Sequence, residues 1–226
     1  MAHPLHGTND DSGAVVGVVS VGRTERSFTQ SERELFHYLA GQAARSMESV
    51  DRHETATRHS VTDHLTGLKN RRGLDEALRD EVVRANRLGS PVSFVLIDLD
   101  DFKSVNTRYL WQQGDRVLRE VAQVLAATSR EIDHPVRYGG EELAIVLPGT
   151  DLEGAYQVAE RVREQVAAKR IALVDGSGSM SITTSCGVAT LSESAPDGRA
   201  LIAAASKALD EAKHTGKNRT VRARPA

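Results

Sequence analysis

Apolar positions along this chain change spacing repeatedly, and each spacing predicts an element. Residues 13–21 (GAVVGVVSV) read as a glycine-punctuated strand, behind a polar stretch 1–12 that reads as loose. Thr29 and Glu32 then stand as in a capping box, and Leu35, Leu39, Ala43, Met47 and Val50 recur at helical spacing. No Gly or Pro breaks the polar run 51–60 that follows, so one long helix is expected to continue through it. Its thin apolar seam suits pairing with a second copy, and a solvated linker helix is the plain alternative. Beyond Asp63 helices and strands alternate. Leu74, Leu78, Val82, Ala85 and Leu88 mark a helix that stops near Gly89, and residues 91–99 form a buried strand. Val117, Leu118, Val121, Ala122, Val124 and Leu125 mark the next helix. Residues 136–138 and 143–147 are strands around Gly139-Gly140, a hairpin signal because primed turns need φ > 0. Ala155, Val158, Ala159, Val162 and Val166 give a helix, residues 181–190 a strand, Leu201 to Ala212 a last helix and residues 220–222 an edge strand. This order predicts an α/β (α+β) fold, a mixed central sheet flanked by helices and preceded by a long N-terminal helix.

Composition narrows the function classes. The 226 residues are 39% hydrophobic and 27% charged, the balance of a globular chain. A formal net charge of −2, with no basic channel or stacking aromatics, gives no footing for nucleic-acid binding. The single cysteine, Cys186, excludes an internal disulfide and a cysteine-based zinc cluster; it reads as a small core residue. No apolar run approaches the ~20 residues of a membrane span. The first residues lack the pattern of a secretory signal, so a cytoplasmic location is expected.

The chemistry concentrates at two strand ends. Asp98 closes the apolar run 92–97, and Glu141 and Glu142 follow the glycine pair at once. If those strands are neighbours, the carboxylates converge. Such a set suits a hard divalent cation, which usually accompanies a nucleotide phosphate. Glycines beside it let phosphate approach the backbone.

Five motifs in order resemble one family. Residues 63–72 (DHLTGLKNRR) are similar to the opening motif of GGDEF domains, the diguanylate cyclases, and residues 98–106 (DLDDFKSVN) to their D-x-D-x-F-K-x-x-N. Gly114-Asp115 follows, then Gly139-Gly140-Glu141-Glu142-Leu143 as a GGEE variant, then residues 208–218 (ALDEAKHTGKN). The likeness covers roughly residues 60–222 and implies the palm-like nucleotidyl-cyclase fold. It implies condensation of two GTP into cyclic di-GMP with release of two pyrophosphates. A domain at 62–226 would act as a homodimer through a connecting helix at 29–61. Residues 1–28 resemble the remnant strand of a GAF-like sensor domain, too short to form a ligand pocket.

The resemblance also implies roles. Asp98, Glu141 and the Leu99 carbonyl would hold Mg²⁺ or Mn²⁺, with Glu142 a further ligand or the group that orients or deprotonates the 3′-hydroxyl. Asn106 and Asp115 would read the guanine edge; a local cap or turn residue is the alternative for Asn106, and a helix cap for Asp115. Phe102 and Lys103 would lie by the phosphates with Gly139 and Gly140 close. Lys213 and Lys217, expected four apart on one helix face, would neutralise the terminal phosphates; a solvated surface pair is the alternative. Lys217 stands where the family often has Arg. Arg130 and Asp133 resemble the family's inhibitory R-x-x-D, which would bind cyclic di-GMP; a surface ion pair is the alternative. The chain departs from the pattern at Thr107, a usual Asp, and at Leu110-Trp111, a usual Gly-His. A silent GGDEF module that binds GTP or cyclic di-GMP is the rival function.

Overall fold

A computed structural model of the chain describes residues 2–6, 15–22, 24, 27–42, 61–191 and 195–224. The chain divides into two compact units, Met1–Ser60 and Val61–Ala226.

In the first unit β1 (Ala2–His6) pairs antiparallel with β2 (Val15–Ser20). The expected loose start is therefore partly strand. A lone β2 would leave its backbone N–H and C=O groups unpaired, and β1 supplies them. Residues 30–42 are helical (α1). The capping box forms as the sequence indicates: Thr29 N–H donates to the Glu32 carboxylate at 2.8 Å, and Glu32 N–H to Thr29 Oγ1 at 3.3 Å. Leu35, Tyr38 and Leu39 are exposed on this helix and Ala40 is buried. Its expected continuation through 43–60 lies outside the described residues.

The second unit contains α2 (Arg71–Leu88), β3 (Val92–Leu99), α3 (Phe102–Thr128), β4 (His134–Gly139), β5 (Glu142–Pro148) and α4 (Leu152–Ala168). The short β6 (Ile171–Ala172) and β7 (Ser179–Met180) form a ribbon, and β8 (Thr184–Thr190), α5 (Gly198–His214) and β9 (Thr220–Arg222) complete it. The five-stranded sheet runs β4-β5-β3-β8-β9. All its pairs are antiparallel except the edge pair β8–β9. Every residue of β3 is buried, because helices cover both faces of a central strand. Val95, Ile97 and Leu99 pack with α3 and α4, and the alternate Phe94 and Leu96 with α2 and α5. Among the described residues no helix is long and apolar enough to cross a membrane.

Two elements differ from expectation. The glycine pair is offset from the hairpin turn. Gly139 pairs with Glu142, and the register slips between Arg137 and Gly139, so Gly140 (φ 22°) and Glu141 form the loop. A bulge has taken up one residue ahead of the turn. Helix α3 begins at Phe102, well before its apolar periodicity starts. Its first half is mostly exposed, so few apolar positions betray it, and it bends at Leu110 (φ 67°, ψ 168°).

Candidate active site

The β3–β5 register sets Asp98 directly opposite Glu142. Asp98 is only 7% exposed, and its Oδ2 accepts from Lys213 Nζ at 2.8 Å. Burial pushes the Asp98 carboxyl above its ordinary value, against the pull of Lys213. Glu142 is raised as well, first by burial and then by the charge of Asp98. Two adjacent carboxyls, both held up chiefly by burial, are costly to ionise together, and a cation between them would relieve that cost. Glu141 lies in the loop, and its carbonyl accepts from the Leu99 N–H at 3.4 Å. Among the described residues no three His, Cys, Asp or Glu side chains form a ready-made metal cage. The Lys213 ammonium is the cation in contact with Asp98. Such a donor set fits Mg²⁺ or Mn²⁺, since an ion of this kind is held by one or two carboxylates and completed by substrate oxygens and water.

Beside the carboxylates the chain turns into α3. Asp101 takes a left-handed φ of 58° and offers no side-chain cap. The first-turn N–H groups of a helix, left without a cap, suit a phosphate. Lys103 is exposed there and Phe102 is buried. An open depression of ≈ 550 Å³ is lined by Asp101, Lys103, Ser104, Thr107 and Arg108; it takes in neither Asn106 nor Asp115. Asn106 and Asp115 both lie inside α3, so neither is a helix cap. Asn106 Oδ1 is buried with no hydrogen-bond partner. A Cβ on Gly114 would lie 2.0 Å from that oxygen, so only glycine lets the two halves of α3 meet there.

The lysines arrive differently than the sequence suggests. Lys213 is in α5, but the helix ends at His214 and Lys217 lies beyond it with φ 60°. The two do not share a helix face; Gly216 at φ 124° has turned the chain. Neither is a free surface lysine, since Lys217 Nζ contacts Asp101 Oδ1 at 2.5 Å. Sequence reasoning gave no role to Asp100. It is buried and accepts from Thr183 Oγ1 and Ser185 Oγ at 2.7 Å each and from the Asn218 N–H at 3.0 Å. Arg137 was also missed. Its guanidinium donates to both Asp63 oxygens at 3.2 and 3.1 Å and to the Gly140 carbonyl at 3.0 Å. It thus ties the opening motif to the glycine turn.

The sequence model described as "Diguanylate cyclase, GGDEF domain" matches residues 60–219. The chain belongs to this family. It is 35% identical to Response regulator PleD of Caulobacter vibrioides, over 94% of this chain and 48% of that protein. It is 37% identical to Diguanylate cyclase DosC of Escherichia coli, over 76% of this chain and 36% of that protein. The chain spans about half or less of the length of these curated relatives. Its structure resembles the GGDEF domain of DgcB from Caulobacter crescentus in complex with c-di-GMP, with TM-score 0.69 and 30% identity over 72% of this chain and 93% of that one. It also resembles the active GGEEF domain of a diguanylate cyclase from Vibrio cholerae, with TM-score 0.64 and 32% identity over 70% and 98%.

Within this GGDEF domain the R-x-x-D segment is a closed turn. Asp133 is buried, and its Oδ2 accepts from the Arg130 backbone N–H at 2.7 Å. Asp133 Oδ1 is buried without a partner. Among the described residues no ion pair joins the Arg130 side chain to Asp133, so the surface ion-pair alternative fails. Arg130 is exposed. Trp111, where the chain departs from the family pattern, is 77% exposed.

Proposed function

We propose that the chain is a diguanylate cyclase, condensing two GTP into cyclic di-GMP and two pyrophosphates as a homodimer. The observation that carries this reading is the cross-strand pair Asp98–Glu142, raised carboxyls set beside the N-terminus of α3. In each of two steps a 3′-hydroxyl oxygen bonds to the α-phosphorus of the other nucleotide. The bond to pyrophosphate breaks, and the hydroxyl proton leaves. Glu142, with its raised carboxyl, is suited to orient that hydroxyl or take its proton. Asp98, Glu141, Glu142 and the Leu99 carbonyl would hold Mg²⁺ or Mn²⁺, which when bound neutralises charge on the phosphates. First-turn N–H groups of α3, with Phe102 and Lys103, receive phosphate, and Gly139 and Gly140 leave room for it. Lys213 and Lys217 neutralise the terminal phosphates. Asn106 and Asp115 accept from the guanine N1–H and 2-amino group. The exposed seam Leu35, Tyr38 and Leu39 supports pairing of two copies through the segment 29–61. Residues 1–28 fit a remnant of a GAF-like domain.

Product would return to Arg130 and Asp133 and inhibit. The exposed guanidinium meets a phosphate or a guanine face, and the unpartnered Asp133 Oδ1 awaits a donor. The test is incubation with GTP and Mg²⁺, products identified by mass spectrometry, beside Glu141→Ala. Cyclic di-GMP from the parent alone, at a rate per chain that falls on dilution, is expected. GTP binding with no product overturns the cyclase reading in favour of a silent receptor.

A further inference from the structure

Helix α3 is two anchored halves joined at one residue. Phe102 and Val105 seat the first half in the core; Val117, Leu118 and Val121 seat the second. The second half is also tied to the β6–β7 ribbon. Gln113 Oε1 accepts from the Val174 N–H at 2.9 Å, and Arg116 donates to the Ala172 carbonyl at 3.1 Å. Between the halves stands Leu110 at φ 67°, ψ 168°. That combination is nearly exclusive to glycine. The residue is 68% exposed, so packing does little to repay the strain.

We infer that Leu110 is a positioning residue for guanine recognition. Its strained joint folds the Asn106 half of α3 onto the Asp115 half and sets how tightly a guanine nucleotide is held. The inference rests on the guanine-reading roles proposed above for Asn106 and Asp115. Those residues lie on opposite sides of the joint, and the bend sets Asn106 against Gly114, the residue next to Asp115. The contact is close, as the 2.0 Å between Asn106 Oδ1 and a Cβ at Gly114 records. The bent form carries a second cost, the buried and unpartnered Asn106 Oδ1. Guanine brings N–H donors and removes that cost; the strain at Leu110 remains. The free chain therefore divides between a bent joint and a relaxed one, and only the bent fraction reads guanine. The apparent dissociation constant is the intrinsic one divided by that fraction.

Substituting Leu110 separates strain from contact. Glycine relieves the joint, whereas alanine keeps a Cβ and so keeps the strain. The probe is 3′-deoxy-GTP, which retains base and triphosphate but lacks the hydroxyl that reacts. Calorimetric titration of the full chain is expected to show Leu110→Gly binding about 5-fold tighter, equivalent to about 1 kcal/mol. Leu110→Ala should match the parent, and inorganic pyrophosphate, which has no guanine, should bind all three alike. Trp111 adjoins the joint and is the only tryptophan. Its emission should shift on nucleotide addition in the parent and in Leu110→Ala, and should start near the shifted value in Leu110→Gly. Equal affinities of all three chains for 3′-deoxy-GTP would overturn the inference and leave the cyclase reading standing. So would a gain that pyrophosphate shares, or a loss common to both variants, which would assign Leu110 an apolar contact instead. No binding of 3′-deoxy-GTP by the parent would overturn both.

Discussion

Replacing Glu142 by glutamine tests whether the acidic site is built for a cation. The substitution keeps shape and burial and deletes one of two facing charges. Cross-strand partners lie about 5 Å apart. At an effective dielectric of about 20, two unit charges at that spacing repel by about 3 kcal/mol. Glu142 is only half-buried, and solvent screening reduces this to about 1 kcal/mol. A domain of this size gains about 2–4 °C in melting temperature per kcal/mol. Glu142→Gln is therefore expected to melt about 2–4 °C higher than the parent in EDTA near neutral pH, while losing cyclase activity. The pH dependence has a definite sign. Asp98 and Glu142 have raised carboxyls in the folded chain, so the folded chain binds their protons more tightly than the unfolded chain does. Their contribution favours folding below the unfolded carboxylate range and is lost as pH rises through the raised folded values. The advantage of the variant should thus vanish near about pH 4. Adding Mg²⁺ should raise the melting temperature of the parent more than that of the variant, since the ion binds the folded carboxylates. Thermal melts with EDTA or Mg²⁺ at both pH values decide the matter. A variant that melts no higher than the parent in EDTA near neutral pH, or an undiminished Mg²⁺ increment, would refute the reasoning.

Arg137→Ala removes the clamp between Asp63 and the Gly140 carbonyl and should lower stability by about 2 kcal/mol in urea titrations. Burial raises the Asp63 carboxyl, but hydrogen bonds from Thr66 and the Arg137 charge outweigh it and leave the carboxyl below its ordinary value. That stability is present above the unfolded value and lost as pH falls, so the acid limb of the stability curve should flatten in the variant. Gly187→Ala would place a Cβ 2.1 Å from the Ala205 carbonyl oxygen and 2.4 Å from Leu209 N. Backbone cannot swing aside as a side chain can, so a loss of about 3 kcal/mol is expected; an unchanged urea midpoint would show that α5 does not lie against β8 in this way.

The sequence made most of the chemistry readable because it sits in contiguous motifs and at strand ends. The buried run 92–97 and the carboxylates after the glycines were enough to bring Asp98 to Glu142. What stayed hidden depends on partners far apart in the chain. Asp100 is held by Thr183, Ser185 and Asn218, and Arg137 by Asp63. No local period reports such pairs. The first half of α3 was missed because its outward residues are polar, and Lys217 was misplaced because helical spacing was carried past the Gly216 turn.

Once placed, two of the motifs prove to be one construction. Three acids of the second motif meet three residues of the last: Asp98 with Lys213, Asp100 with the Asn218 N–H, and Asp101 with Lys217. The acids at either end hold ammonium groups, and the middle acid fixes the loop by backbone and hydroxyl bonds. This division suits an exchange. Asp100 has its acceptors filled by neutral donors, so it keeps the loop in place while the lysines move. Under the proposed function an arriving triphosphate competes for Lys213 and Lys217, and the carboxylates they leave would be freed for a cation. Each lysine then keeps an anionic partner before and after binding, and Asp98 is not left buried and unpaired at either stage.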